Sequence, residues 1–161
     1  MLFRSYSITS DRNKPTPTIT STQSSPTNAS PINFQVTFGE DVTGFTASDI
    51  TLGGTATTGG VASFTTVSAN SYTFTVAPTA DGTILVNIAA NTLTDLAGNS
   101  NNAATQYSIT SVRTAPTVTS VSSTTANGSY SSGTIDVTVN FSKTVRSEEH
   151  TSELQSHSFI S

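Results

Sequence analysis

The sequence of 161 residues contains no cysteine and no tryptophan, and only 10% of its residues are charged. Without cysteine there is no disulfide, no thiolate metal ligand and no cysteine nucleophile. Six lysines and arginines stand against ten aspartates and glutamates, so the chain lacks the basic surface that nucleic-acid phosphates require. No apolar run approaches the roughly 18 residues of a membrane-spanning helix. We therefore expect no nucleic-acid partner and no membrane insertion by this segment.

Threonine and serine are abundant instead, with 32 and 26 residues. The β-branched threonine side chain packs well on the pleated surface of a strand. Helices draw mainly on leucine, alanine, glutamate and lysine. The composition therefore favours an all-β protein.

Both ends of the chain differ in character from the residues between them. Residues 146–157 resemble the translated read-through of a sequencing-library adapter, and residues 2–5 resemble the translated end of the opposite adapter. We expect residues 1–5 and 146–161 to be adapter-derived, and such segments are excluded from fold reasoning. The lack of a signal peptide at the first methionine then says nothing about secretion.

An internal repeat organises the remaining sequence. Tyr6–Ser10 recurs letter for letter as Tyr107–Ser111 at an offset of 101 residues. Ile32–Phe38 matches Ile135–Phe141 at an offset of 103. A repeat of about 100 residues is too long for a solenoid unit and has the size of one immunoglobulin-like sandwich. The pattern predicts a tandem array of independent domains.

The repeat also predicts the domain boundaries. Residues 6–14 would end a preceding repeat and its linker, and residues 15–111 would form one complete domain. Residues 112–145 would supply a second linker and the start of the next repeat, broken off after two strands. Pro15, Pro17 and Pro116 lie at the joints between repeats, and proline stiffens a joint relative to glycine and serine. The expected partners are neighbouring repeats in the same chain.

Alternation of apolar and polar residues predicts about seven short strands in the complete domain. Such a series, separated by turn residues, is typical of an immunoglobulin-like antiparallel β-sandwich. We expect hairpin turns at Gly53-Gly54 and Gly59-Gly60, and Asp81 is expected only to stabilise its own turn. The side chains predicted to face the core are Ile32, Phe34, Val36, Phe38, Ile50, Leu52, Tyr72, Phe74, Val76, Ile84, Val86 and Ile88.

Three motifs together resemble the bacterial immunoglobulin-like repeats of large surface adhesins. They are FGEDVTGF at residues 38–45, TASDI at 46–50 and TDLAGN at 94–99. The resemblance implies a β-sandwich, an extracellular location, a tandem arrangement and no catalytic activity. It also often implies calcium at domain junctions or loops. In the following repeat Lys143 takes the place of Glu40, which departs from any ion site that uses this glutamate.

Residues 6–145 contain almost none of the residue combinations that catalysis requires. This stretch contains no histidine, so it can build neither a Ser-His-Asp triad nor a histidine-ligated zinc site. The adjacent carboxylates Glu40 and Asp41 would face opposite sides of an extended chain, which suits neither glycosidase geometry. We expect no enzyme.

Calcium is the one site hypothesis with a physical basis, because Ca²⁺ prefers six to eight oxygen ligands. Asp95 and Asn99 lie in one loop before the last strand, and Glu40 or Asp49 would reach them from loops at the same end of a sandwich. The second interpretation is that these residues only stabilise turns through their own backbone. Both interpretations stay open at this point.

Three functions fit these expectations. The first is a structural spacer or stalk repeat of a secreted or cell-surface bacterial adhesin, stiffened by calcium. The second is an adhesive module that binds a glycan or a host or matrix protein. The third is an accessory module of an extracellular polysaccharide-degrading enzyme.

Overall fold

The computed structural model describes residues 8–145. The two adapter-like ends lie outside the described residues. The chain divides into two compact units, Met1–Thr114 and Ala115–Ser161. We describe each unit by itself.

Nine strands and one turn of 3-10 helix are found in the described residues of the first unit. The 3-10 turn spans Ala47–Asp49. The strands are β1 (Thr18–Ser21), β2 (Ile32–Thr37), β3 (Val42–Thr43), β4 (Ile50–Gly54), β5 (Thr58–Ser68), β6 (Ser71–Pro78), β7 (Gly82–Ile88), β8 (Thr94–Asp95) and β9 (Tyr107–Ser111).

Seven of these strands form two antiparallel sheets. One sheet has the order β1-β2-β6-β5 and the other β4-β7-β9, while β3 and β8 form a separate two-residue ladder. Four strands on one sheet and three on the other, in this order, is the arrangement of a constant-type immunoglobulin sandwich. The structure confirms the predicted all-β fold.

The core lies between the two sheets and uses the predicted alternating residues. Eleven of the twelve predicted side chains are buried, and Leu52 is half-buried against them. The Phe34 ring stacks on Phe74 of the same sheet with centroids 5.1 Å apart. It also meets Tyr107 of the opposite sheet edge-on at 5.9 Å. Because this side chain contacts both layers, Phe34 lies at the centre of the packing.

The segment between β1 and β2 connects the two sheets. β1 pairs with β2, but Thr27 forms a parallel bridge with Ser111 of β9 in the other sheet. The Thr27 amide donates to the carbonyl of Thr110 at 2.9 Å, and the Val112 amide donates to the carbonyl of Thr27 at 2.8 Å. The beginning of the domain is thereby bonded to its last strand.

The predicted hairpin turns at the glycine pairs are wrong. Gly53-Gly54 ends β4 and Gly59-Gly60 lies inside β5, and these two strands belong to different sheets. Gly54 has a φ of +103°, and a Cβ there would lie 2.1 Å from the carbonyl oxygen of Thr83. Glycine is needed here because the backbone passes close to β7, which is another common use of glycine in a strand.

Ser111 offers a test of the packing at the end of β9. The side chain is fully buried, and its Oγ has no hydrogen-bond partner among the described residues. We expect Ser111→Ala to raise the free energy of unfolding by about 1 kcal/mol, because it removes an unsatisfied buried hydroxyl. Chemical denaturation measures the change, with the exposed Ser108→Ala on the same strand as control. A loss of stability in Ser111→Ala would contradict this expectation.

The second unit contributes one hairpin to the described residues. Its strands β10 (Val118–Ser123) and β11 (Val137–Phe141) pair antiparallel, with Val121 opposite Val139. The apolar side chains of this hairpin are largely exposed. No helix among residues 8–145 is long and apolar enough to cross a membrane.

Candidate functional site

Three carboxylates meet at the end of the first unit where β3 and β8 pair. Asp11, Glu40 and Asp95 place carboxylate oxygens within 4.8 Å of one another. Glu40 precedes β3, and Val42 of β3 pairs with Asp95 of β8. Asp11 arrives from the segment before the first strand. We call this set the acidic cluster.

Asp95 is the most firmly held member of the acidic cluster. Its side chain is buried; Oδ1 accepts the backbone N–H of Asn99 at 2.8 Å, and Oδ2 accepts the Asn99 side-chain amide at 2.8 Å. Desolvation works against the charged form, but hydrogen bonds from Asn99 and from the Ala97 and Gly98 backbone outweigh it and lower the pKa of Asp95. The residue is therefore held as a carboxylate.

Glu40 shows the opposite shift. Desolvation raises its pKa first, and the negative charges of Asp11 and Asp95 raise it further. A raised folded pKa favours the fold at low pH, and this contribution is lost as the pH rises through that pKa. The contribution of Asp95 is present above its unfolded pKa and is lost as the pH falls. At neutral pH the negative charges of Asp11, Glu40 and Asp95 repel one another.

Asn99 positions the acidic cluster. Its side-chain Nδ2 donates to Asp95 and, at 3.2 Å, to the backbone carbonyl of Asp11. This amide joins the β8 loop to the segment that enters the domain. It faces the two aspartates with its donor nitrogen and not with the oxygen that a cation would bind.

Asp49 lies outside the acidic cluster. Its Oδ2 accepts the backbone N–H of Thr46 at 2.8 Å and the Thr46 hydroxyl at 2.9 Å, which caps the 3-10 turn. Sequence reasoning brought Asp49 forward and missed Asp11, which it placed in a linker. The sequence position of Asp11 could have pointed to it, because it is the last acidic residue before the domain begins.

The donor set of the acidic cluster fits a hard cation. Carboxylate oxygens are preferred by Ca²⁺, and backbone carbonyls and water complete its shell of six to eight ligands. Asp11, Glu40 and Asp95 would hold such an ion and would lose their mutual repulsion on binding it. The repeat does not preserve this set, since Val112 and Lys143 occupy the positions equivalent to Asp11 and Glu40.

Asp81 fixes the segment that leaves the first unit. Its Oδ1 accepts the backbone N–H groups of Arg113 and Thr114 at 2.6 and 2.9 Å. The Arg113 guanidinium donates to the carbonyl of Asn28 at 3.5 Å. The expectation that Asp81 serves only its own turn is wrong, because its partners lie more than 30 residues away along the chain.

Asn101 fixes the loop between β7 and β8 from inside. The side chain is 1% exposed. Its Oδ1 accepts the backbone N–H groups of Thr92 and Leu93 at 2.9 and 3.1 Å, and its Nδ2 donates to the carbonyls of Ala89 and Asn102 at 2.8 and 2.7 Å. This loop leads into β8, which carries Asp95. By holding the loop in place, Asn101 helps to fix the position of Asp95 in the acidic cluster.

A groove of about 480 Å³ lies on the outer face of the four-stranded sheet. Its polar side chains are hydroxyls and amides and carry no charge. On β1, β2 and β6 they alternate with buried core residues. The side chains include Thr20, Asn33, Gln35, Ser63, Thr73 and Thr75.

The first unit is a two-sheet β-sandwich module with an acidic cluster at one end. The sequence pattern of the bacterial Ig-like domain matches residues 11–111. The chain therefore belongs to the bacterial Ig-like domain family. Comparisons with curated proteins and with solved structures return no match. Bacterial Ig-like domains are generally non-catalytic modules, often carried on extracellular proteins, and the match is consistent with a structural or adhesion-type repeat module.

Proposed function

We propose that this chain is a non-catalytic spacer repeat of a secreted or cell-surface bacterial adhesin. The observation that carries the proposal is that both units contain the same hairpin. In the first unit β1 and β2 pair with Ile19 opposite Val36 and Ser21 opposite Phe34. In the second, β10 and β11 pair with Val121 opposite Val139 and Ser123 opposite Val137. A register shift between Val118 and Ser120 moves the offset in β10 from 101 to 102, so these pairs are equivalent to those of the first unit.

The hydrogen bonds of the two hairpins also correspond. The Ser21 hydroxyl donates to the carbonyl of Asn33 at 2.7 Å, and the Ser123 hydroxyl donates to the carbonyl of Asp136 at the same distance. A serine Oγ then accepts the amide two residues later in both units. This agreement supports a tandem arrangement of one fold.

The exit from the first unit supports a mechanical role. Asp81 holds the backbone of Arg113 and Thr114, and Pro116 follows two residues later. A joint with bonded amides and a proline has fewer accessible conformations than a glycine-serine tether. A spacer needs such joints because its work is to keep a distal domain away from the cell.

The spacer proposal predicts a narrow distance distribution between the two units. Spin labels on cysteines introduced at the exposed Thr51 and Thr138 of the full chain would report it by pulsed electron resonance. We expect Asp81→Ala to broaden the distribution, because it releases the exit segment, and the exposed Asp41→Ala to leave it unchanged. A broad distribution in the unaltered chain would mean a flexible tether and would overturn the spacer role.

We also propose calcium as the ion of the acidic cluster, held by Asp11, Glu40 and Asp95 with Asn99 as the positioning residue. The support is the donor chemistry and the closeness of the three carboxylates, whose oxygens lie within 4.8 Å of one another. Desolvation raises the pKa of Glu40 first, and the charges of Asp11 and Asp95 raise it further, a repulsion that a cation would relieve. Asp49 is left out of the proposed set because it caps the 3-10 turn.

Calcium at millimolar concentration is expected to raise the melting temperature of the first unit. Glu40→Gln should remove this response, and in the presence of a chelator it should raise the melting temperature, because it removes one of three mutually repelling charges. Asp136→Asn removes a carboxylate of the second unit, keeps the acidic cluster and should respond to calcium like the unaltered chain. Differential scanning calorimetry checks each case. Equal melting curves with calcium and with chelator would contradict the ion and leave the spacer role standing.

An adhesive module that binds a neutral glycan is the second candidate. The groove on the four-stranded sheet favours it, because amides and hydroxyls without charge suit the hydroxyls of a sugar. A glycan array with the full chain separates the two functions. Specific binding that Asn33→Ala abolishes would favour the adhesive module over the spacer.

A further inference from the structure

Strand β5 forms one edge of the four-stranded sheet of the first unit. It pairs with β6 on one side, and no strand among the described residues pairs with its outer edge. Thr58–Ser68 is the longest strand that the structure describes, with 11 residues, and contains neither a charged residue nor a proline. Residues 61–67 are mostly β-branched or aromatic. An edge of this length and composition is a template on which another chain can add a strand.

The other edge strands in the described part of the first unit are short, and one of them is also covered. β1 has four residues and directly follows Pro17, and β4 has five residues. β9 has five residues, and Thr27 is bridged to its outer side. Short length, proline and a covering segment all limit the pairing of an edge with another chain. β5 is long, lacks proline and is not covered by another strand among the described residues.

Three β-bulges interrupt β5 instead. Its 11 residues lie opposite only the eight residues of Ser71–Pro78, and the register between the two strands shifts three times. One bulge contains Gly60, with a φ of +92°, and the next contains Ser63, with a φ of +48° that is uncommon for a residue other than glycine. The third inserts Val67, which is 61% exposed. A bulge leaves its extra residue unpaired, and it bends and twists the strand that carries it.

We propose that these bulges prevent a second copy of this chain from pairing along the outer edge of β5. Two edges can pair only where their amides and carbonyls follow each other at regular intervals, and each bulge breaks this series. Between neighbouring bulges only residues 61–62 and 65–66 keep a regular register with β6. These stretches are too short to hold an added strand. The proposal concerns the first unit itself and holds for the spacer and for the adhesive module alike.

The test removes two bulges from the full chain by deleting Ser63 and Val67. The rest of residues 61–68 then match β6 one to one, with Phe64 opposite Phe74, so Phe64 keeps its place against the core. We expect this deletion variant to dimerise in sedimentation equilibrium at concentrations about tenfold or more below any association of the unaltered chain. In the dimer, the amides of residues 61–66 should exchange hydrogen on the order of tenfold more slowly, because they gain bonded partners.

Two further variants separate edge pairing from loss of the fold. Ser63→Gly keeps the chain length and readily adopts a positive φ, so it should associate like the unaltered chain. Thr65→Lys in the deletion variant places a charge on the straightened edge and should reverse the dimerisation, because lysine on an edge strand opposes pairing. If circular dichroism shows that the double deletion does not fold, deletion of Val67 alone, next to the last residue of β5, provides the same comparison.

Equal association of the deletion variant and the unaltered chain would overturn the proposal, because the bulges would then have no effect on pairing. Slower hydrogen exchange confined to residues outside β5 would overturn it as well. Association that Thr65→Lys fails to reverse would have the same meaning, since the contact would lie away from this edge.

Discussion

Phe34→Ala is expected to lower the free energy of unfolding of the first unit by about 3–5 kcal/mol, which is typical of large-to-small substitutions of a buried aromatic residue. Phe34 is 2% exposed and stacks on Phe74 while meeting Tyr107 of the opposite sheet. Removing the ring leaves a cavity that both sheets line. The surrounding side chains sit on fixed strands, so they can close the cavity only incompletely.

Denaturant unfolding followed by far-ultraviolet circular dichroism measures this loss. Asn33→Ala is the matched control, because Asn33 is the exposed neighbour on the same strand. It should change the stability by no more than about 0.5 kcal/mol, as is usual for surface positions. Equal effects of the two substitutions would show that the layers do not pack around Phe34.

Asn101→Ala is expected to lower the free energy of unfolding by about 2–4 kcal/mol. The main loss is of hydrogen bonds and not of apolar contacts. The substitution leaves the amides of Thr92 and Leu93 without their acceptor and two carbonyls without their donor. Each buried polar group left unsatisfied costs about 1–3 kcal/mol, and water entering the loop recovers some of this.

Asn101→Asp divides the effect into its two halves. The carboxylate keeps an acceptor for the two amides but cannot donate to the carbonyls of Ala89 and Asn102, so it should lie between the unaltered chain and Asn101→Ala. The exposed Asn102→Ala, which loses one bond to Thr16, serves as control. Chemical denaturation of all four proteins provides the comparison. If Asn101→Ala and Asn102→Ala are equally stable, the loop does not depend on the buried amide.

The sandwich was predictable because the central strands of both sheets bury one face. A period of two fixes which residues point inward, and a slip of one residue would exchange the core for the surface. β2, β6 and β7 carry this pattern without interruption. The pattern fails for β3 and β8, which have two residues each. A ladder this short shows no alternation, and only tertiary structure brings its strands together.

The glycine pairs show a different limit. A glycine pair is the common signal of a hairpin turn, but the same residues serve where one backbone passes close to another. Gly54 is of the second kind, since the carbonyl of Thr83 occupies the space of its Cβ. The approach joins residues almost 30 positions apart, so the local sequence carries no sign of it.

The acidic cluster was predictable in kind but not in its full membership. Loops at one end of a sandwich converge, which explains why Glu40 and Asp95 were considered together. Asp11 joins them because of the path of the entering segment, and Asp49 does not because it bonds Thr46. No periodicity or spacing in the sequence reveals either feature. The calcium itself stays a prediction.

The parallel bridge between Thr27 and Ser111 bears on how a pulled chain would respond. Tension entering near the start of the domain and leaving near its end draws two parallel segments along each other in opposite directions. The amide bonds of Thr27 and Val112 then lie across the sliding direction and carry the load together. An antiparallel hairpin pulled at its open end would instead lose its bonds singly, in succession. If the domain is the spacer proposed above, pulling on its two ends would load these two bonds together and not one after the other.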